Sequence, residues 1–163
     1  MRYLTFDGQE HDSYDFAILV PRLDEEAILK NYIIPSGFDK SRFVAVTLDY
    51  TGKKTPVKDQ KAYFDVLLPM IKNLNVKQIL CCDSDFFKTL AKLPKAEAYL
   101  GYVVDVGYVQ TDMMVTYCPS FTGIFYDPEK VNSKISQSIS ALADYMANVY
   151  VPPGNDIIQS AAY

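Results

Sequence analysis

The sequence predicts an α/β protein, a three-layer α/β/α sandwich with a central four-stranded parallel sheet. Four short runs carry that prediction: Phe16–Val20, Phe43–Leu48, Gln78–Cys82 and Met113–Tyr117 are apolar or nearly so throughout, the pattern of strands buried on both faces. Each run is followed by a segment with helical spacing of apolar residues, so strand and helix alternate four times. Such alternation is how parallel sheets are built, each strand returning through a right-handed crossover helix.

The first strand is preceded by residues 1–13, polar and aromatic without a clear period, which read as an arm lying on the domain. Pro21-Arg22 breaks strand one, and Asp24-Glu25-Glu26 opens a helix with acids in its first turn, where the helix dipole favours them. Ile28, Leu29, Tyr32 and Ile33 mark its inner face, and Pro35-Ser36-Gly37 ends it. After strand two comes the loop Asp49 to Pro56, rich in Gly, Lys and Thr. A helix from about Lys58 to Leu74 comes next, with Tyr63, Phe64, Leu67, Leu68 and Ile71 inward and a kink expected at Pro69. Asp83 or Ser84 caps the next helix, which runs to Leu93 with Phe86, Phe87 and Leu90 inward; Pro94 stops it. Tyr102–Val104 and Tyr108-Val109 are expected to form a small ribbon around Gly107. Asp127-Pro128-Glu129 opens the last helix, whose stripe is Val131, Ile135, Ile139, Leu142, Met146 and Val149. Residues 1–150 form one domain and residues 151–163 read as an exit linker.

The chain of 163 residues is long enough for a real hydrophobic core, and 49% hydrophobic with 22% charged residues is the mixture of a soluble globular protein. A net charge of −4 argues against a surface that grips phosphate everywhere, while leaving room for one local binding face. Adjacent Cys81 and Cys82 on a strand point to opposite faces, no CxxC occurs, and His11 is the single histidine. No metal site, zinc or iron–sulfur, is therefore expected, and reduced thiols in a cytoplasmic setting are the corresponding expectation. Met1–Asp7 lacks a signal-peptide core, and no apolar run is long enough for a membrane span.

Neither GxGxxG, nor a Walker loop, nor a GxSxG elbow is present. The most informative stretch is the fourth strand together with the loop it enters. Met113–Tyr117 runs into Cys118-Pro119-Ser120, then a loop with Gly123, then the capped helix. Open α/β sheets place ligands at the carboxyl ends of their strands, which puts Cys118, Pro119 and Ser120 in any site the protein has.

Taken with the order of elements, Val115-Thr116-Tyr117-Cys118-Pro119-Ser120 resembles the Thr-Tyr-His-Pro-Ser motif of the uracil-DNA glycosylase superfamily, closest to its iron–sulfur branch. The likeness covers roughly residues 14–148. Ala17 to Glu26 stands where that family has a strand, a Gly-Glu-Ala-Pro-Gly loop and an Asp-Glu pair. Val44–Leu48 stands at its strand ending in Thr-Asn, with Thr55-Pro56 at its later Thr-Pro helix start. Gln78–Ser84 followed by Phe87-Lys88-Thr89-Leu90 looks like its third strand and helix.

The departures fall on the chemistry. Such enzymes flip uracil out of the duplex, read it with an asparagine, and use a first-loop carboxylate and the motif histidine for cleavage. Here the carboxylate position is Leu19 or Val20, the asparagine position is Thr47 or Leu48, and Cys118 replaces the histidine. The cluster cysteines are absent, so the resemblance implies no iron–sulfur cofactor. A neutral thiol is a weak donor and cannot supply imidazolium charge. If the protein is active, Asp24, Glu25 and Cys118 are the catalytic candidates.

Degenerate domains of this kind occur at the N-terminus of bacteriophage family A DNA polymerases, and Pro153–Tyr163 resembles the junction leading toward the polymerase parts. That implies the host-cell cytoplasm as location and phage replication proteins or polymerase domains as partners. The leading reading is a non-catalytic module holding DNA weakly by its phosphate backbone, through Pro21, Arg22, Lys53, Lys54, Pro119, Ser120 and Thr122, with Tyr50, Phe121, Phe125 and Tyr126 as candidate stacking residues. An active glycosylase with a divergent site and a protein-interaction domain without DNA affinity are the alternatives.

Overall fold

At the centre of a computed structural model describing residues 1–154 is a six-stranded sheet in the order β1-β3-β2-β4-β6-β5. The strands are β1 Tyr3–Leu4, β2 Phe16–Val20, β3 Phe43–Thr47, β4 Gln78–Cys81, β5 Val103–Asp105 and β6 Met114–Tyr117. The middle four are parallel and correspond to the four apolar runs. The sheet is nevertheless wider than expected, because β1 and β5 add antiparallel edges to β3 and β6. β1 comes from the segment read as an arm, where Tyr3 and Leu4 pair with Val46 and Ala45. β5 replaces the expected ribbon around Gly107: Val103–Asp105 pairs with β6, not with residues 108–109. Gly107 instead brings the backbone over the end of the neighbouring helix, where a Cβ would lie 2.5 Å from the Ala91 carbonyl.

Alternate residues of the buried strands feed two cores. Ala17, Leu19, Val44, Val46, Ile79, Cys81 and Val115 face one side, packed against α3 Val57–Asn73 and α4 Ser84–Ala91. Phe16, Ile18, Val20, Phe43, Ala45, Leu80 and Cys82 face the other. That face is covered by α1 Glu25–Ile28, a π turn Leu29–Ile33, α2 Ile34–Ser36 and α5 Pro128–Met146. Cys81 and Cys82 thus divide between the two cores, as strand alternation requires. The β2-to-β3 crossover uses one face and the β3-to-β4 and β4-to-β6 crossovers use the other, as right-handed connections running in opposite directions must. Strand order reverses between β2 and β4, which makes the crest above them the switch point of the sheet.

Helix starts agree with the sequence signals. Asp24, Asp83 and Asp127 accept from the backbone N–H of Ala27 (3.1 Å), Phe86 (2.9 Å) and Lys130 (3.4 Å), each satisfying a donor of the first turn. The ends differ. Pro35 lies inside the first helical run, which stops at Gly37 in the left-handed conformation. α4 ends at Ala91 instead of Leu93, because Lys92 takes a left-handed φ of 60°. α5 ends at Met146, so Val149 lies outside its stripe and is 62% exposed. Of the expected exit linker, residues 151–154 are described; a Cβ on Gly101 would lie 3.2 Å from Pro153, so the linker's start lies against the domain. Residues 155–163 of that linker lie outside the described residues.

Candidate nucleic-acid interface

The loops after β2, β3, β4 and β6 meet at the carboxyl edge of the sheet. The turn after β6 is shaped from beneath by Tyr32, fully buried in the π turn. Its hydroxyl donates to the Pro119 carbonyl at 2.9 Å and accepts from the Phe121 N–H at 2.7 Å. Ser120 caps a 3₁₀ helix, Phe121–Phe125: its Oγ accepts from Thr122 N–H at 3.1 Å and shares a hydrogen with Thr122 Oγ1 at 2.7 Å. Gly123 N–H donates to the Ser120 carbonyl at 3.1 Å. The amides of residues 121–123 are thus spent inside the protein, and the turn is not an amide cradle for a phosphate.

Pro119 is buried and its carbonyl is occupied, so it is not a surface contact, contrary to its sequence assignment. Cys118 is also fully buried and opposes Cys82, one residue beyond the Cys81–Tyr117 register pair. Burial holds the Cys82 thiol well above its usual range, with the Cys118 thiol adding to the effect. A thiol shut in the core touches no ligand at the crest. Asp24 is engaged as a helix cap, and Glu25 beside it is exposed. The three catalytic candidates are therefore a cap, a surface acid and a core thiol, which do not converge on one reacting atom.

At the end of β3, Leu48 is buried in the core, and Thr47 Oγ1 is buried without a hydrogen-bond partner among the described residues. Tyr50 donates to Asp83 at 3.1 Å, tying the β3 loop to the β4 loop. Burial and then the Asp83 carboxylate push its phenol well above the usual range, so it remains a neutral donor.

Exposed groups at the crest come from the β2 and β6 loops. The Arg22 guanidinium lies over the Phe121 ring, 5.4 Å from its centroid, and its side chain is 66% exposed. Phe121 itself is buried, which removes it from the stacking candidates. Phe125 and Tyr126 remain, 88% and 86% exposed, edge-to-face with centroids 5.5 Å apart. Half-buried Pro21 and exposed Thr122 flank this surface, and exposed Lys53 and Lys54 stand on the β3 loop.

Among the described residues, no three His, Cys, Asp or Glu side chains gather to hold a metal, and no helix is long and apolar enough to cross a membrane. The chain matches no protein-family model and no curated protein.

Proposed function

We propose that this protein is a non-catalytic uracil-DNA-glycosylase-like module that holds DNA at the carboxyl edge of its sheet, serving a phage replicative DNA polymerase. The observation that carries the reading is the solvent-facing pair Phe125 and Tyr126 on the loop that also presents Thr122, with Arg22 fixed over Phe121. Two adjacent aromatics this exposed bury almost nothing within the chain, whereas a base stacked on one contributes about 1–3 kcal/mol. Arg22 supplies the phosphate contact beside them. The acid and thiol positions are absorbed into capping and core packing, which supports holding without cleavage.

The test is binding of fluorescent single- and double-stranded DNA, with uracil and thymine versions, at two salt concentrations. Salt-dependent binding without uracil preference is expected, with no uracil released. Replacing both Phe125 and Tyr126 by Ala should weaken single-strand binding at least tenfold and leave the melting temperature unchanged, since neither ring is in the core. Uracil release abolished by Asp24→Asn or Glu25→Gln would restore catalysis instead. Absence of binding at low salt would make the domain a protein-docking module.

A further inference from the structure

We infer that the groove between α3 and α4 is a track for a single nucleic-acid strand, entered from the crest at Lys54. The groove, about 930 Å³, is lined by four lysines, Lys54, Lys61, Lys88 and Lys92, against one aspartate, Asp85. Such a basic lining is a local exception in a chain of net charge −4. Asp85 is paired with Lys88 at 3.1 Å, while Lys54, Lys61 and Lys92 have no ion-pair partner among the described residues.

The groove floor is fixed. Gln60, almost fully buried, donates to the Thr55 carbonyl at 2.9 Å and accepts from the Thr89 hydroxyl, locking α3 to α4. The lysines are therefore mounted on two rigid helices joined by a polar bridge.

One feature of the lining costs stability within the chain itself. Lys92 takes a left-handed φ of 60°, a conformation that favours glycine; among the described residues the other such non-glycine residues are Asn75 and Asn148, which tolerate it better. A lysine kept where glycine is cheaper points to a use for its ammonium group.

A nucleic-acid strand fits because the groove opens on the β3 loop at the same edge as Arg22, Phe125 and Tyr126. α4, with eight residues, is about 12 Å long, room for roughly three phosphates at their helical spacing. This inference rests on the DNA-holding function proposed above and extends it from the crest to a second face.

The test measures binding of a fluorescein-labelled oligothymidylate to the full 163-residue chain over a salt series. Three proteins are compared: wild type, Lys61→Ala/Lys88→Ala/Lys92→Gly, and Phe125→Ala/Tyr126→Ala. Each lysine on a phosphate contributes about 0.7 to the slope of log affinity against log salt, so the lysine variant should lose about 2 from that slope. The single variant Lys92→Gly should melt higher than wild type yet bind more weakly, which separates a ligand role from a structural one. An unchanged slope in the lysine variant, with binding lost in the aromatic variant, overturns the track and leaves the crest reading standing. The reverse pattern keeps the track and overturns the crest reading. Two further results overturn the track: displacement of the strand by inorganic phosphate well below its ionic-strength equivalent, which marks a single-phosphate pocket, and tighter binding of labelled polyglutamate than of DNA, which marks an acidic-protein groove.

Discussion

The hydroxyl of Tyr32 joins two loop backbone groups, Pro119 C=O and Phe121 N–H, almost ninety residues away in sequence. Replacing it with phenylalanine keeps the ring in its slot and leaves a buried carbonyl and a buried amide unpaired, a cost of about 1–3 kcal/mol. Tyr32→Phe should therefore lower the urea midpoint with an unchanged m-value, and DNA affinity should fall as the Ser120–Phe125 turn loosens. A midpoint equal to wild type would mean that water replaces the hydroxyl. Burial, followed by the neighbouring Cys82 and Cys118 thiols, raises the Tyr32 phenol well above its usual value, so this clamp should hold through neutral and mildly alkaline pH. Helical spacing marks Tyr32 as inward-facing from sequence alone. Its partners are invisible there, because nothing local in residues 28–33 encodes a hydrogen bond to a turn on the far side of the chain. The stacking residues were similarly half legible: Phe121 and Phe125 are both aromatics on one loop, and only the packing buries the first and exposes the second.

At the scale of elements, Glu97 links the short 3₁₀ helix Glu97–Tyr99 to its neighbours. Its carboxylate accepts from Lys134 Nζ on α5 at 2.8 Å and from Tyr117 Oη at the end of β6 at 3.1 Å. The Lys134 hydrogen bond, aided by that of Tyr117, holds the Glu97 carboxyl below its ordinary value. A carboxyl whose folded pKa is depressed contributes stability above its unfolded pKa, near 4.3, and loses it as pH falls through the folded value. Glu97→Gln should therefore flatten the decline in stability between pH 5 and pH 3, by about 0.5 kcal/mol, since the Glu97 side chain is 58% exposed and largely screened. Urea titrations of both proteins at pH 7 and pH 3 measure it; equal acid losses would show the link to be idle. β2, β3, β4 and β6 were readable because burial on both faces makes a short run apolar, and α3 and α5 because burial of one face imposes a helical spacing. β1 and β5, of two and three residues, are too short to carry any period and form only because a longer strand offers its edge. The ends of α4 and α5 were misplaced for a related reason: Lys92 and Val149 suit a helix, and left-handed residues at Lys92 and Asn148 stop or succeed it instead.

For the whole molecule, the parallel four-strand centre was legible because strands buried on both faces are predominantly apolar, whereas its closure at the edges was not. β3 is fully buried, apolar but for Thr47 and five residues long, and its outer edge is paired with β1 alone. An uncovered edge of that kind offers unpaired backbone groups to any other chain. Residues 1–10 supply three shields: the Tyr3–Val46 and Leu4–Ala45 pairs, the Arg2 carbonyl accepting from Thr47 N–H at 3.0 Å, and Phe6, buried in the core shared by α1 and α5. Burying a phenylalanine contributes about 2–3 kcal/mol, so removing residues 1–10 should destabilise the domain by at least that much. The freed β3 edge should also make the truncated chain scatter light in a concentration-dependent way well below its unfolding temperature, while wild type stays monodisperse. Lysine placed at Val46 would not serve as a control, because that side chain faces the α3 core; Leu4→Pro does, since Leu4 stands in a hydrogen-bonded pair with Ala45, so that proline removes a backbone donor from β1 and leaves Phe6 in place. If Leu4→Pro aggregates as the truncation does, edge protection is the function of β1. If it stays monodisperse and only the truncation fails, Phe6 burial is what holds the N-terminal segment in the fold, and pairing with β3 is its consequence.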